Sequence, residues 1–248
     1  MKRNVWLLVA IFCLAIGSTP VQADGPVFLT EENPPFNHMY AGTISGIATD
    51  VLLRMTAIAH TPLKREEIQI LPWARGYQRL QNSPNVILYS MARTSNREGL
   101  FQWIGPIMKV KGVLIARKKD GIRINNLISD TQHRVIGTIR ESASEHILLS
   151  KGVSTHSLQR LHDIKLNVQK LMSGRVDMVA MTETTFWYYV KELKYDPELF
   201  KIVHILMESS FYYGVSSDMN PTLVDRLQKA LDQITASGER DRIISHYQ

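Results

Sequence analysis

Strand-like and helix-like segments alternate twice along this chain, and that alternation restricts the fold to an α/β architecture built from two units. In the first unit, residues 27–30 read as a strand, and Pro34, Pro35 and Asn37 mark a turn-rich loop. Behind Ser45, read as an N-cap, Ile47, Val51, Met55 and Ile58 recur at helical spacing. A strand over 67–71, a helix over 73–80 after Pro72, and a strand over 86–90 follow. Residues 109–118 (KVKGVLIARK) are extended and apolar, and beyond them the alternation restarts. Strands are predicted over 134–139, 176–181 and 200–206, and helices over 142–149 and 183–193. A further helix, marked by Ile164, Val168 and Leu171, stops at Gly174. The tail is helical: Asn220 caps, Pro221 starts, and Leu223, Leu227, Leu231 and Ile234 share one face. Gly238 ends that helix, and Ile243 and Ile244 lie on a short last one. Each unit therefore holds a mostly parallel sheet flanked by helices. If the tail packs on the first unit, the chain crosses between units twice, near Lys111 and near Glu208, and two crossings make a hinge with a cleft.

The first 23 residues form a separate region. Lys2 and Arg3 precede an unbroken apolar run over 5–16, broken by Gly17 and Pro20, and Val21-Gln22-Ala23 ends in small residues. This is the layout of a secretory signal peptide cleaved after Ala23, which predicts a periplasmic protein. Cys13, the single cysteine, lies inside that run behind Phe12 rather than behind small residues, so neither a lipid anchor nor a disulfide is expected. Loss of Lys2 and Arg3 lowers the formal charge from +6 to +4. With no Lys/Arg run of five or more, nucleic-acid binding has little support.

Catalytic patterns are missing. The eight histidines are scattered without metal-ligand spacing, and no P-loop, dinucleotide fingerprint or nucleophile elbow is present. No cofactor is implied. Binding candidates are better placed. Arg97 follows the strand over 86–90 through a short polar loop, where open α/β sheets place ligands. A guanidinium there can clamp a carboxylate or form an interlobe ion pair. Trp73 is a cleft wall or a core residue. Ser142 and Ala143 open a helix whose N–H groups suit an anion or an ordinary cap. Thr182 and Glu183 occupy the matching place in the next strand-helix step, and Glu31 and Glu32 are solvated or capping carboxylates unless a ligand engages them.

Four segments in order carry a resemblance: Pro34-Pro35-Phe36 with 46–52 (GIATDVL), 90–98 (SMARTSNRE), 171–177 (LMSGRVD), and Ser237-Gly238-Glu239 running to Ile244 and Tyr247. Together they resemble the family 3 bacterial extracellular solute-binding proteins, which have the two-lobed type 2 periplasmic binding fold. The resemblance implies residues 24–111 and 208–248 in one lobe, 112–207 in the other, and a ligand between them. It implies that Arg97 holds an α-carboxylate, that Trp73 is an aromatic wall, and that Ser90, Ala92, Ser142 and Ala143 contribute to the site. Where amino-acid binders carry an ammonium-binding aspartate, this chain has Thr182; Glu183 or Glu31 is then the substitute, or the ligand is not a simple α-amino acid. Ala92 replaces a hydroxyl residue common in the family's loop.

The expected function is capture of a small, polar, carboxylate-bearing ligand by a monomer that hands it to an ABC-type permease or reports it to a membrane sensor. The protein is expected not to be an enzyme. The rival readings are a sensory module without an importer, and a cleft enzyme of the cyclohexadienyl dehydratase-like type using Glu141, Glu183 or Glu31.

Overall fold

The computed structural model describes residues 25–247. The proposed leader and Cys13 lie outside the described residues. In chain order, β1 (Val27–Thr30) leads to a hairpin of β2 (His38–Tyr40) and β3 (Thr43–Ser45), then α1 (Ile47–Ile58), β4 (Gln69–Ile70), α2 (Trp73–Asn82) and β5 (Val86–Ala92). The long strand β6 (Gln102–Arg117) follows. After it come α3 (Leu127–Thr131), β7 (Ile136–Ile139), α4 (Ala143–Ser150), β8 (Leu158–Leu161), α5 (Ile164–Met172), β9 (Met178–Thr182) and α6 (Glu183–Glu192). A second long strand, β10 (Phe200–Val215), precedes α7 (Pro221–Ala236) and α8 (Glu239–His246).

Eight strands form one sheet in the order β4-β1-β5-β10-β6-β9-β7-β8. The flanks β4-β1-β5 and β9-β7-β8 are parallel, and the central β10-β6 ribbon is antiparallel. β5 pairs with Phe211–Val215 of β10, whereas β9 pairs with Gly112–Ala116 of β6. The ribbon thus carries one parallel flank at each end. Lys111 and Glu208 are direct register partners between the flanks, with Nζ 3.1 Å from Oε1. Both long strands extend past their sequence signal, because ladder pairing recruits polar stretches such as Glu208, Ser209 and Ser210.

The tail packs back onto the start of the chain. Leu227, Ala230, Leu231 and Ile234 of α7 share a core with Val51, Leu52 and Met55 of α1. Gly46, not Ser45, caps α1: its φ is +123°, and a Cβ there would lie 2.5 Å from the Phe36 carbonyl oxygen. Ser45 instead ends β3, with its Oγ 3.1 Å from the Tyr247 hydroxyl. That hydroxyl accepts from the Gly46 N–H at 3.1 Å and donates to Asp50 at 2.5 Å. The C-terminal and first-helix segments of the resemblance therefore meet in one hydrogen-bonded knot.

Candidate functional site

The crevice between the two flanks is built from strand ends on one side and helix starts on the other. On the first side, β5 carries a bulge: Tyr89 faces Tyr213 and Met91 faces Tyr212, which leaves Ser90 unpaired at φ +59°. This costs backbone strain of the kind found at functional sites. The Ser90 hydroxyl donates to Asn37 Oδ1, and Asn37 Nδ2 donates to the Glu31 carbonyl at 2.6 Å. The bulge, the loop after β1 and Glu31 are thereby held as one unit.

Arg97 is the largest fully buried side chain, 1 % exposed. Its guanidinium carbon lies 4.8 Å from the Tyr77 ring centroid and 5.3 Å from that of Trp73. Nη1 donates to the Ala92 carbonyl at 3.3 Å and Nη2 to the Glu141 carbonyl at 2.9 Å, while Nε has no partner among the described residues. The Trp73 indole N–H donates to the same Glu141 carbonyl at 2.8 Å. Burial lowers the Arg97 pKa, and Tyr77, Glu31 and Glu141 oppose that shift.

Glu141 lies across the crevice, at the turn between β7 and α4, with φ +63°. The turn is pinned by Glu145, whose side chain is fully buried. Its carboxylate accepts from the Glu141 N–H at 2.9 Å, from Thr138 at 2.7 Å, and from two nitrogens of Arg160 at 2.6 and 3.0 Å. Burial pushes the Glu145 carboxyl up, but Arg160, Thr138 and the Glu141 N–H together hold it below its ordinary value. Ser142 Oγ caps the Glu145 N–H at 3.2 Å. That cap does not use the N–H groups of Ala143 and Ser144, both of which border the crevice.

These groups enclose a cavity of about 60 Å³, lined by Glu31, Trp73, Ser90, Ala92, Arg97, Ser142, Ala143 and Thr182. Of the candidate residues, Glu183 is outside it, as are Glu32 and Glu141. The reason is local: Glu183 starts α6, and Thr185, one helical turn beyond Thr182, takes the crevice-facing position. Thr182 makes no side-chain cap. The residues that sequence reasoning missed are Asn33 and Thr185, whose side chains meet across the crevice at 2.6 Å. For Thr185 the sequence signal is its three-residue helical offset from Thr182; Asn33, in the loop after β1, has none. Burial pushes the Glu31 carboxyl up to about 8, with Arg97 pulling it down and Glu32 pushing it further up.

A second cavity of about 630 Å³ lies on the outer side, sharing Glu31, Trp73 and Ile164 with the first. Among the described residues no cluster of His, Cys, Asp or Glu could hold a metal ion, and no helix is long and apolar enough to cross a membrane.

Among solved structures, the chain is similar to a mutant of the arginine-binding protein ArgBP from T. maritima, with a TM-score of 0.75 at 17 % identity over 90 % of this chain and 95 % of that one. It is similar to the arginine-, lysine-, histidine-binding protein ArtJ from Geobacillus stearothermophilus, with a TM-score of 0.74 at 16 % identity over 90 % and 94 %. A histidine kinase sensor domain with similarity to periplasmic binding proteins gives 0.77 at 15 % identity over 90 % and 95 %. No curated protein matches the chain. These likenesses establish the two-lobed type 2 periplasmic binding fold. Residues 27–248 match the family described as bacterial extracellular solute-binding proteins, family 3, and with nearly all of its length covered the chain belongs to that family.

Proposed function

We propose that this protein is a periplasmic receptor that captures a small, carboxylate-bearing, amino-acid-like ligand between its two lobes. The observation that carries this reading is Arg97: a buried guanidinium that lines the crevice together with the Ser142-Ala143 helix start, and whose Nε has no partner among the described residues. Such donors suit a carboxylate. The neighbours that bind arginine, lysine or histidine support an amino-acid-like ligand. We assign residues 24–111 and 208–248 to one lobe and 112–207 to the other, with the hinge at the Lys111–Glu208 pair. Ligand that touches both lobes stabilises the closed state by its differential contacts.

The ligand is then handed to an ABC-type permease. The sensor-domain neighbour supports a second reading, in which the closed receptor reports to a membrane kinase. Turnover in the crevice has less support. Glu183 does not border the crevice, and the Glu141 carboxylate is engaged by His146 at 2.9 Å and Arg160 at 3.2 Å. Only Glu31 is left as a general acid or base.

A thermal-shift screen against amino acids, small carboxylates and amines tests the proposal. A ligand at 100 times its Kd should stabilise the protein by ~2.7 kcal/mol. Arg97→Ala should remove ~1.5–3 kcal/mol of that ligand's binding. Undiminished binding by this variant would show that the carboxylate site lies elsewhere.

A further inference from the structure

We infer that the outer cavity is a subsite for an organic cation of the alkylammonium or guanidinium class. The inference goes beyond the carboxylate reading and does not need Arg97. At about 630 Å³ this cavity falls within the range of about 300–1,000 Å³ typical of small-molecule sites, whereas the inner one at about 60 Å³ does not. Its walls come from both lobes, so an occupant bridges them. Glu31, Glu32, Trp73 and the hairpin strand β2 form one side, and the start of α5 and the C-terminal half of α6 form the other.

Three features select a cation. The first is charge: Glu32, Asp163 and Glu192 line the cavity, against Lys165 as the one lysine or arginine among its lining residues. Lys165 is already paired with Glu192 at 2.8 Å. The carboxylates are close enough to feel one another: burial raises the Glu32 carboxyl, the Met39 N–H pulls it down, and Glu192 and Asp163 push it further up. The second is the aromatic wall of Tyr40, Trp73, Tyr188 and Tyr189, whose ring faces attract cations. Tyr40, 67 % exposed, stands at the rim with its ring 6.4 Å from that of His38. The third is His38, only 7 % exposed, whose ring lies 5.7 Å from that of Tyr188. Its Nδ1 has no partner among the described residues, and burial lowers its pKa. A neutral imidazole of this kind offers an acceptor to an ammonium or guanidinium N–H. His162, the remaining titratable group of the wall, sits beside Asp163.

Cadaverine and 1,5-pentanediol, alike in length and different in charge, separate this site from the carboxylate site. At matched ionic strength, cadaverine should raise the Tm of the full chain in a concentration-dependent manner and pentanediol should not. Glu32→Gln combined with Glu192→Gln should weaken cadaverine about tenfold or more by titration calorimetry. The exposed Tyr40→Ser should also weaken it without disturbing folding. Arg97→Ala should leave cadaverine binding intact while losing the carboxylate ligand. Equal responses to the two probes, no response to cadaverine, or wild-type affinity in both the double variant and Tyr40→Ser would each overturn the inference. None of these outcomes bears on Arg97.

Discussion

The inner and outer parts of the crevice share a wall at Trp73 but are built on opposite principles. The inner part is small, centred on Arg97, and already bridged by hydrogen bonds. Arg97 and Trp73 both donate to the Glu141 carbonyl, and Thr185 donates to Asn33, so the lobes are hydrogen-bonded to each other directly. The outer part is acidic, large and aromatic, and Glu31 makes no side-chain hydrogen bond within the described residues. The contrast teaches that the inner groups tie the two lobes together, whereas the exposed outer groups Tyr40 and Glu192 make no hydrogen bond between the lobes among the described residues. Substitutions inside should therefore cost stability, and substitutions at Tyr40 or Glu192 should cost mainly binding.

The largest expected effect follows from Glu145, which anchors the turn that presents Glu141 and Ser142. Glu145→Ala leaves Thr138 and the Glu141 N–H without their acceptor and Arg160 with Glu141 alone, and should destabilise the protein by ~3 kcal/mol in urea unfolding. A loss below ~1 kcal/mol would mean that the turn holds itself. Thr185→Val should cost about 1–2 kcal/mol, because it strands the buried Asn33 oxygen. Trp73→Phe removes the indole donor together with part of a buried ring, and its expected cost is about 1–2 kcal/mol. At the outer wall, Glu192→Gln should change stability by no more than ~0.5 kcal/mol, and a larger change would break the contrast between the two parts.

Glu145 and Glu31 should also titrate with opposite sign. Glu145 is held below its ordinary value in the fold, so its contribution is present above the unfolded carboxylate range and is lost as pH falls through the folded pKa. Glu31 is raised from 4.5 to about 8, so the folded chain holds a proton that the unfolded chain has released. Stability should decline as pH rises across that window, and Glu31→Gln should flatten the decline in Tm measured from pH 5 to 8. A decline of the same slope in the variant would remove Glu31 from the account.

Much of the inner part was legible in the sequence because each of its residues sits at a marked place. Arg97 follows a β-rich strand, Trp73 follows Pro72, and Ser142 opens a helix directly after a strand. What could not be read was direction. Nothing local indicates that Arg97 reaches Glu141, 44 positions away, or that Ser90 is the extra residue of a bulge. Glu183 was misplaced by one step of the helix, since adjacent helical residues diverge in direction while those three apart do not. The outer cavity left almost no trace. Tyr188 and Tyr189 read only as helix interior, and the β2–β3 hairpin lacks the alternating run that marks a strand, although Ala41 and Gly42 both have the positive φ of a tight hairpin turn. The folding pattern of each lobe is local, but a surface made by two lobes is not.

The central claim is that an anionic ligand group sits between Arg97 and the Ser142-Ala143 helix start. Its most direct test is calorimetric titration of the best ligand from the thermal screen beside the same ligand with its carboxylate converted to a carboxamide. The account predicts that the carboxamide binds at least about tenfold more weakly, the loss of one charge-assisted pair. Equal affinity of the two compounds would contradict it.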